Sequence, residues 1–391
     1  MSAPMDLPNL SPRLHGVKPW RDRLMQWLER VYANPTLYRW SLQTPLTRWV
    51  TQRRTQKIFD LMAGFVYSQV LLGCVRLDLF RMLQNAPADC QHIAQRVGVP
   101  AETLERLLLS AVALDLLEHR SHGRFGLGPL GVPMALHPGI GAMAEHNHLL
   151  YRDMQNPIGF LNDAWQGQMA DYWPYAHDAQ AAQRAAPEKF SAYSDLMASS
   201  QGFVVQEILN TYPFHEHQCV LDVGAGKARF ASELALHAPH LTLKLFDLPP
   251  VLALAEATLK TKNLLSRATL YPGSFLHDPL PTGADLVTLV RVAHDHPDDV
   301  VQALLAKIHA ALPTNGRLLL AEPMAQTLGD SRSGAQQTDA YFHFYLLAMG
   351  AGRLRTPDEL MRLMRAAGFS GVTRLNNQLP IHAQLLVGTK T

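Results

Sequence analysis

The stretch at residues 219–249 reads CVLDVGAGKARFASELALHAPHLTLKLFDLP, and its reading decides the fold. An apolar run at 219–223 has the length and composition of a buried strand. It breaks at Gly224-Ala225-Gly226, where the backbone can turn sharply and let a ligand come close. A helical pattern follows, with Phe230, Leu234 and Leu236 as its apolar positions, and a second apolar run at 241–246 ends at Asp247. Strand, glycine turn, helix, strand and acid make the layout of a nucleotide-type site, in which the acid bonds a ribose diol. A dinucleotide fingerprint would need a third glycine at position 229, which holds Arg229, preceded by Lys227 and Ala228. The stretch alone leaves open which nucleotide is bound, and an ordinary strand-to-helix turn would also carry two glycines.

The 391 residues suffice for two domains with sizeable cores, and a formal net charge of +2 implies no polyanionic partner. Cys74, Cys90 and Cys219 lie far apart without metal spacing, which suits a reduced, cytoplasmic protein. The proline-rich N-terminus has no apolar run of signal-peptide type. Residues 58–75 are the most hydrophobic stretch. They include Asp60 and Gln69, are followed by Arg76, and are expected to form a buried helix at a subunit interface rather than a membrane span. Charge is unevenly spread: residues 1–57 hold ten Lys or Arg against three acids, a net of +7, together with four of the six tryptophans. Arg and Trp in company suit a boundary between water and something apolar, either a membrane surface or a partner subunit clasped by this arm.

Taken in order, residues 1–57 form a basic, Trp-rich arm in which Trp20, Leu24, Trp27, Leu28 and Val31 mark a helix. Residues 58–213 read as a helical domain. From Leu79 to Leu127 it follows the winged-helix order of helix, short turn, helix and small hairpin. The helix that would read DNA offers Glu102, Glu105 and Asp115 against Arg106 alone, so no basic footprint exists and a dimerisation role is the better reading. His146 and His148 in MAEHNH lack the spacing of a metal pair, and no metal is expected. Residues 214–391 alternate strands and helices, which predicts a mostly parallel sheet with helices on both faces. In such a sheet ligands sit at the carboxyl ends of the strands. Asp247, Ser274, Phe275, Arg291, His294 and Glu322 all fall at expected strand ends, and that convergence outweighs any single motif.

Asp222 precedes the first glycine by two residues, and D-x-G-x-G resembles the opening of the S-adenosylmethionine (SAM) site of class I methyltransferases. Further segments follow in order: FDLP, PGSFL, RVAHDHPDD, LLLAEPM and GRLRTPDEL. Together they resemble the plant-type and hydroxyindole-type small-molecule O-methyltransferases over residues 58–391. The arm and the stretch TPLTRWVTQRRTQKIFDLMAGFVYSQVLLGCVRLDLF are most similar to the carotenoid 1-hydroxyl O-methyltransferases of purple photosynthetic bacteria, and less so to a bacteriochlorophyll ring methyltransferase of green bacteria.

The resemblance implies a class I Rossmann-like α/β sheet with a reversed edge strand, a winged-helix dimerisation domain, a homodimer and SAM as cofactor. Gly224 and Gly226 would face the methionine part of SAM, with Asp222 near its cationic end. Asp247 would bind the ribose hydroxyls, Ser274 and Phe275 would flank the adenine, and Arg291 would bind the cofactor where the family has a lysine, near its adenine or carboxylate end. His294 would be the general base and Glu322 would orient it. The family's second acid falls at Leu354, and its third glycine at Ala228, so both features are missing here. The acceptor would be a lipophilic polyene, its tertiary hydroxyl deprotonated as the methyl arrives. Met197, Phe203, Phe342, Tyr345 and Met349 are candidates to line its pocket, though such residues also make ordinary cores. A bacteriochlorophyll-type C-methyltransferase, a phenolic or polyketide O-methyltransferase, a ligand-sensing winged-helix regulator and a nucleotide-fold protein that has lost catalysis, suggested by Ala228, Ser274 and Leu354, are the competing readings. Peripheral membrane contact through residues 1–57 is the remaining partner expectation.

Overall fold

The computed structural model describes residues 19–162, 167–172, 202–326, 335–378 and 383–391. The chain divides into two compact units, Met1–Val132 and Pro133–Thr391.

In the first unit, helices Pro19–Tyr32 and Pro35–Gln43 precede a long helix, Pro45–Arg76. Proline opens each of the last two at a position where its missing N–H costs nothing. The winged-helix order is present. Helix Leu79–Asn85 leads to strand β1 (Ala88–Asp89), helices Cys90–Val97 and Ala101–Ala113, and strands β2 (Leu117–Arg120) and β3 (Arg124–Leu127), in sheet order β1-β3-β2. Asp89 caps its helix by accepting the His92 N–H at 2.9 Å, and Gly98 ends that helix at φ +70°. The acidic face of Ala101–Ala113 is exposed, with Glu102 facing Arg106 across a 3.6 Å ion pair. Helix Pro45–Arg76 exposes Ile58, Phe59, Leu61, Met62 and Phe65 on this single chain, Leu61 to 85 %.

The second unit is built on seven strands: β4 (Cys219–Val223), β5 (Thr242–Asp247), β6 (Ala268–Pro272), β7 (Leu286–Val290), β8 (Arg317–Glu322), β9 (Phe369–Arg374) and β10 (Gln384–Lys390). Their order is β6-β5-β4-β7-β8-β10-β9. The first five are parallel, and β10 runs antiparallel to both neighbours. The reversed strand is therefore one place in from the edge, which β9 occupies. The chain builds β4, β5 and β6 outward, then returns to β7 on the other side of β4. This reversal places a crevice at the carboxyl ends of β4 and β7.

Alternation along the strands fills both faces. Leu319 and Leu385 pack on one side, Leu318, Leu320 and Leu386 on the other. Helix Arg229–His237 buries Phe230, Ala231, Leu234 and Ala235, while Leu236, expected inside from its hydrophobicity, is 55 % exposed. It lies two positions from Leu234, and residues two apart on a helix do not share a face. Helix Pro138–Asp153, which sequence grouped with the winged helix, falls in this unit. It packs against helix Ala335–Met349, where His146 Nε2 meets the Tyr345 hydroxyl at 3.1 Å.

Candidate active site

Two glycines shape the cofactor end. Gly224, at φ +74°, donates its N–H to the Phe246 carbonyl at 2.9 Å, tying the turn to β5. A Cβ at Gly224 would lie 2.6 Å from Val292 Cγ2, so only glycine fits. Gly226, at φ +56°, would point a Cβ into open space and leaves room for a ligand. Its N–H donates to Asp247 Oδ2 at 2.8 Å, and the Leu248 N–H donates to Oδ1 at 2.7 Å. Burial pushes the Asp247 carboxyl up to about 6, against the lowering effect of those two N–H groups. The carboxylate keeps spare lone pairs for further donors. Ala228, at φ +59°, holds the left-handed conformation that favours glycine, and helix Arg229–His237 starts behind it without a capping side chain.

Asp222 is buried on β4 and accepts from Thr288 Oγ1 on β7 at 2.8 Å. Burial raises its carboxyl to about 7, with the Asp247 charge adding to the rise. At the end of β6, the Gly273 N–H donates to the Asp247 carbonyl at 3.0 Å and brings Ser274 and Phe275 to the same edge. The Ser274 hydroxyl accepts the Leu276 N–H at 3.3 Å, and the Phe275 ring stands edge-on to His296 at 5.2 Å. Arg291, at φ +56°, donates its N–H to the Ala321 carbonyl at 2.8 Å. Its charge acts on His294, Asp295 and Tyr341.

His294 and Glu322 are brought together. Nδ1 of His294 lies 2.6 Å from Glu322 Oε2, while Glu322 Oε1 accepts the N–H groups of Val292 at 2.8 Å and Ala293 at 2.7 Å. Sequence reasoning missed the group on the other nitrogen: Nε2 lies 3.0 Å from Asp295 Oδ1. The imidazole is therefore flanked by two acids although Leu354 replaces the one expected. Burial lowers the His294 pKa, but the charges of Asp295 and Glu322 and the Glu322 hydrogen bond outweigh it and hold the ring above its ordinary value. Burial raises Asp295 to about 7 despite the neighbouring ring. The ring and the two acids titrate as a coupled group rather than singly. Such an arrangement can take up a proton released beside it.

Of the expected acceptor-lining residues, Tyr345 and Met349 belong to a packed apolar cluster with Leu150, Phe160 and Leu354, and Phe342 packs against it half-buried. Phe203 is half-buried against His137, ring centroids 4.5 Å apart, and Met197 lies outside the described residues. His146, singled out beside His148, has the Tyr345 hydroxyl as its partner, and burial holds its pKa down at about 4.

A pyrophosphate fingerprint would need glycine where Arg229 stands. A ribose diol and an amino-acid end fit the open face of Gly226, the spare acceptors of Asp247 and the buried acid Asp222. These residues fit SAM.

The family models agree. Residues 59–134 match an O-methyltransferase dimerisation domain and residues 159–370 an O-methyltransferase domain. The chain is 37% identical over 365 residues to the demethylspheroidene O-methyltransferase of Rhodobacter capsulatus, covering 93% of this chain and 90% of that one. It is 38% identical over 330 residues to the enzyme of the same name from Cereibacter sphaeroides, covering 84% and 86%. In fold it is similar to human N-acetylserotonin methyltransferase, solved in complex with SAM, with a TM-score of 0.71 at 22% identity over 86% of this chain and 97% of that one.

Proposed function

The chain belongs to the SAM-dependent O-methyltransferase family, and from that premise we propose that it methylates the C1 hydroxyl of an acyclic hydroxycarotenoid with His294 as general base. The observation that carries the acceptor is the 37% and 38% identity to two demethylspheroidene O-methyltransferases along most of both chains. Leu354, where the family's second acid would stand, belongs to a buried apolar cluster, which supports a site built for an apolar acceptor.

SAM supplies, when bound, a methyl group activated by a sulfonium. Asp247 would hold its ribose hydroxyls, Gly224, Gly226 and Asp222 its methionine part, and Ser274 and Phe275 its adenine. Alignment of acceptor oxygen with that methyl is the larger contribution, about 7–11 kcal/mol at best. Proton removal adds about 10²–10⁴-fold. A tertiary alcohol is a weak acid, so its proton leaves as the oxygen–carbon bond forms. His294 Nε2 receives it, Glu322 holds Nδ1–H, and the Asp295 charge offsets the imidazolium. Phe203 and Phe342 are the lining candidates that remain partly open; Tyr345 and Met349 are packed in the apolar cluster with Leu354.

The dimerisation domain supports a homodimer, and its match from residue 59 covers the exposed apolar half of helix Pro45–Arg76. By length and composition alone, Thr47–Arg76 would also pass for a membrane span. Ahead of the dimerisation domain, Trp20, Trp27, Trp40 and Trp49 are each more than half exposed, and the Arg53 guanidinium lies 5.4 Å over the Trp49 ring. We propose that this arm rests on the cytoplasmic face of an anionic membrane, where a lipid-dissolved acceptor is found. Removing residues 1–50 should abolish flotation with anionic liposomes. Unaltered flotation would dismiss the membrane role, and conversion to a monomer would assign the arm to the partner subunit.

The acceptor is tested by incubating the protein with methyl-labelled SAM and, separately, a 1-hydroxylated acyclic carotenoid, a hydroxyindole, a polyketide phenol and a bacteriochlorophyll precursor. Label in a new methoxy group of the carotenoid is expected. Label only in a phenol or in the tetrapyrrole would replace this reading.

A further inference from the structure

We infer that Arg355 is a positioning residue for the catalytic histidine, the counterpart of Glu322 on the opposite side of the same loop. The inference rests on the reading of His294 as the base.

Arg355 is 2 % exposed and heads the fully buried side chains by volume among the described residues. Its guanidinium spans the histidine loop: Nη1 donates to the Ala293 carbonyl at 2.8 Å, Nη2 to the His296 carbonyl at 2.7 Å. Nε donates to Asp298 Oδ1 at 2.8 Å, and that carboxylate also takes the Arg353 guanidinium, at 2.7 Å on Oδ2. The carbonyl between them is held as well, since the Arg353 N–H donates to the His294 carbonyl at 3.0 Å. Gly352 makes this approach possible. At φ +78°, a Cβ there would lie 2.1 Å from the His294 carbonyl oxygen.

Glu322 therefore gathers the N–H groups entering the loop, and the segment 352–355 gathers its carbonyls. These bonds oppose any swing of His294 away from Glu322 and Asp295. A planar fork is needed for this task, because two carbonyls three residues apart must be met at fixed angles; a lysine ammonium on a flexible stem meets one or the other. Burial lowers the Arg355 pKa and Asp298 opposes that, so the side chain is a paired cation inside the fold.

The experiment compares wild type, Arg355→Lys and Asp298→Asn, with melting temperature, SAM affinity by calorimetry, and kcat and KM against pH. The groups acting on His294 are Asp295, Glu322 and Arg291, and a loosened loop weakens the hold of both acids. In Arg355→Lys, kcat should fall by up to about 10²-fold, as expected for an ångström-scale misplacement. SAM affinity should stay within about threefold, and the kinetic pKa of the base should move down toward an ordinary histidine. Asp298→Asn, at a half-exposed position, should give a smaller change of the same sign and decides the matter if Arg355→Lys does not fold. A folded variant with an unmoved pH profile and unchanged kcat overturns the inference. His294→Ala separates the two levels. An active His294→Ala removes the underlying reading, whereas an inactive one beside an unaffected Arg355→Lys removes only the role of Arg355.

Discussion

Glu322 Oε2 lies 2.6 Å from Nδ1 of His294, and Glu322 Oε1 takes the backbone N–H groups of Val292 and Ala293. One buried carboxylate thus orients the ring and holds the loop that carries it. Glu322→Gln should keep the shape but lose the charge that raises the histidine. The expected result is a kcat loss within the range of general-base catalysis, about 10²–10⁴-fold, with SAM affinity unchanged by calorimetry. A variant losing SAM binding in proportion to turnover would place Glu322 in cofactor binding.

Asp295 raises the His294 pKa from the other side of the ring. A base with a raised pKa is protonated, and idle, over a wider acidic range, so wild-type turnover should climb with pH through a value above that of ordinary histidine. Asp295→Asn removes one of the two charges responsible. Its kcat–pH curve should move toward acid while its plateau drops, because the imidazolium formed on proton uptake loses a partner. A curve that stays in place would mean that the 3.0 Å contact does not set the base.

Burial pushes the Asp247 carboxyl up to about 6, inside an accessible pH range. Above that value the carboxylate is charged and accepts from diol hydroxyls; below it one acceptor oxygen becomes a donor. SAM affinity should therefore fall as pH drops through about 6, by an amount on the order of a charged hydrogen bond, about 1.5–3 kcal/mol. Asp247→Asn should bind weakly and lose the step near 6 that the Asp247 carboxyl produces. Calorimetric titrations of both proteins across that range make the comparison.

Gly224→Ala meets two penalties, a left-handed φ and the 2.6 Å approach to Val292 Cγ2. The backbone part alone costs about 1–2 kcal/mol. Since Val292 precedes Ala293 and His294, the push should reach the base. The variant should show a lower melting temperature together with a reduced kcat, and a full kcat at reduced stability would confine the effect to the turn.

The sheet was legible because its strands announce themselves. Cys219–Val223 is a continuous apolar run closed by glycine, and its bounds in the structure are those read from the residues. The pairing of His294 with Glu322 was legible as two strand-end residues of a single sheet edge. Asp295 was not, since adjacency in sequence does not say that a carboxylate folds back onto its neighbour's ring. Arg355 was hidden for a related reason: an arginine reads as a surface charge until the carbonyls that bury it are known. Tyr345 and Met349 were legible only as apolar, since side chains at helical spacing look alike whether they face a ligand or a core. The structure gives Tyr345 a 3.1 Å bond to His146 and packs both Tyr345 and Met349 in one apolar cluster.

The central claim is that His294 takes the acceptor's proton at a site that binds SAM without it. The most direct measurement is label transfer from SAM to the hydroxycarotenoid by His294→Ala, paired with SAM affinity on the same preparation. The account predicts turnover reduced by about 10²-fold or more at an unchanged dissociation constant. Methylation at the wild-type rate by a variant that still binds SAM would contradict it.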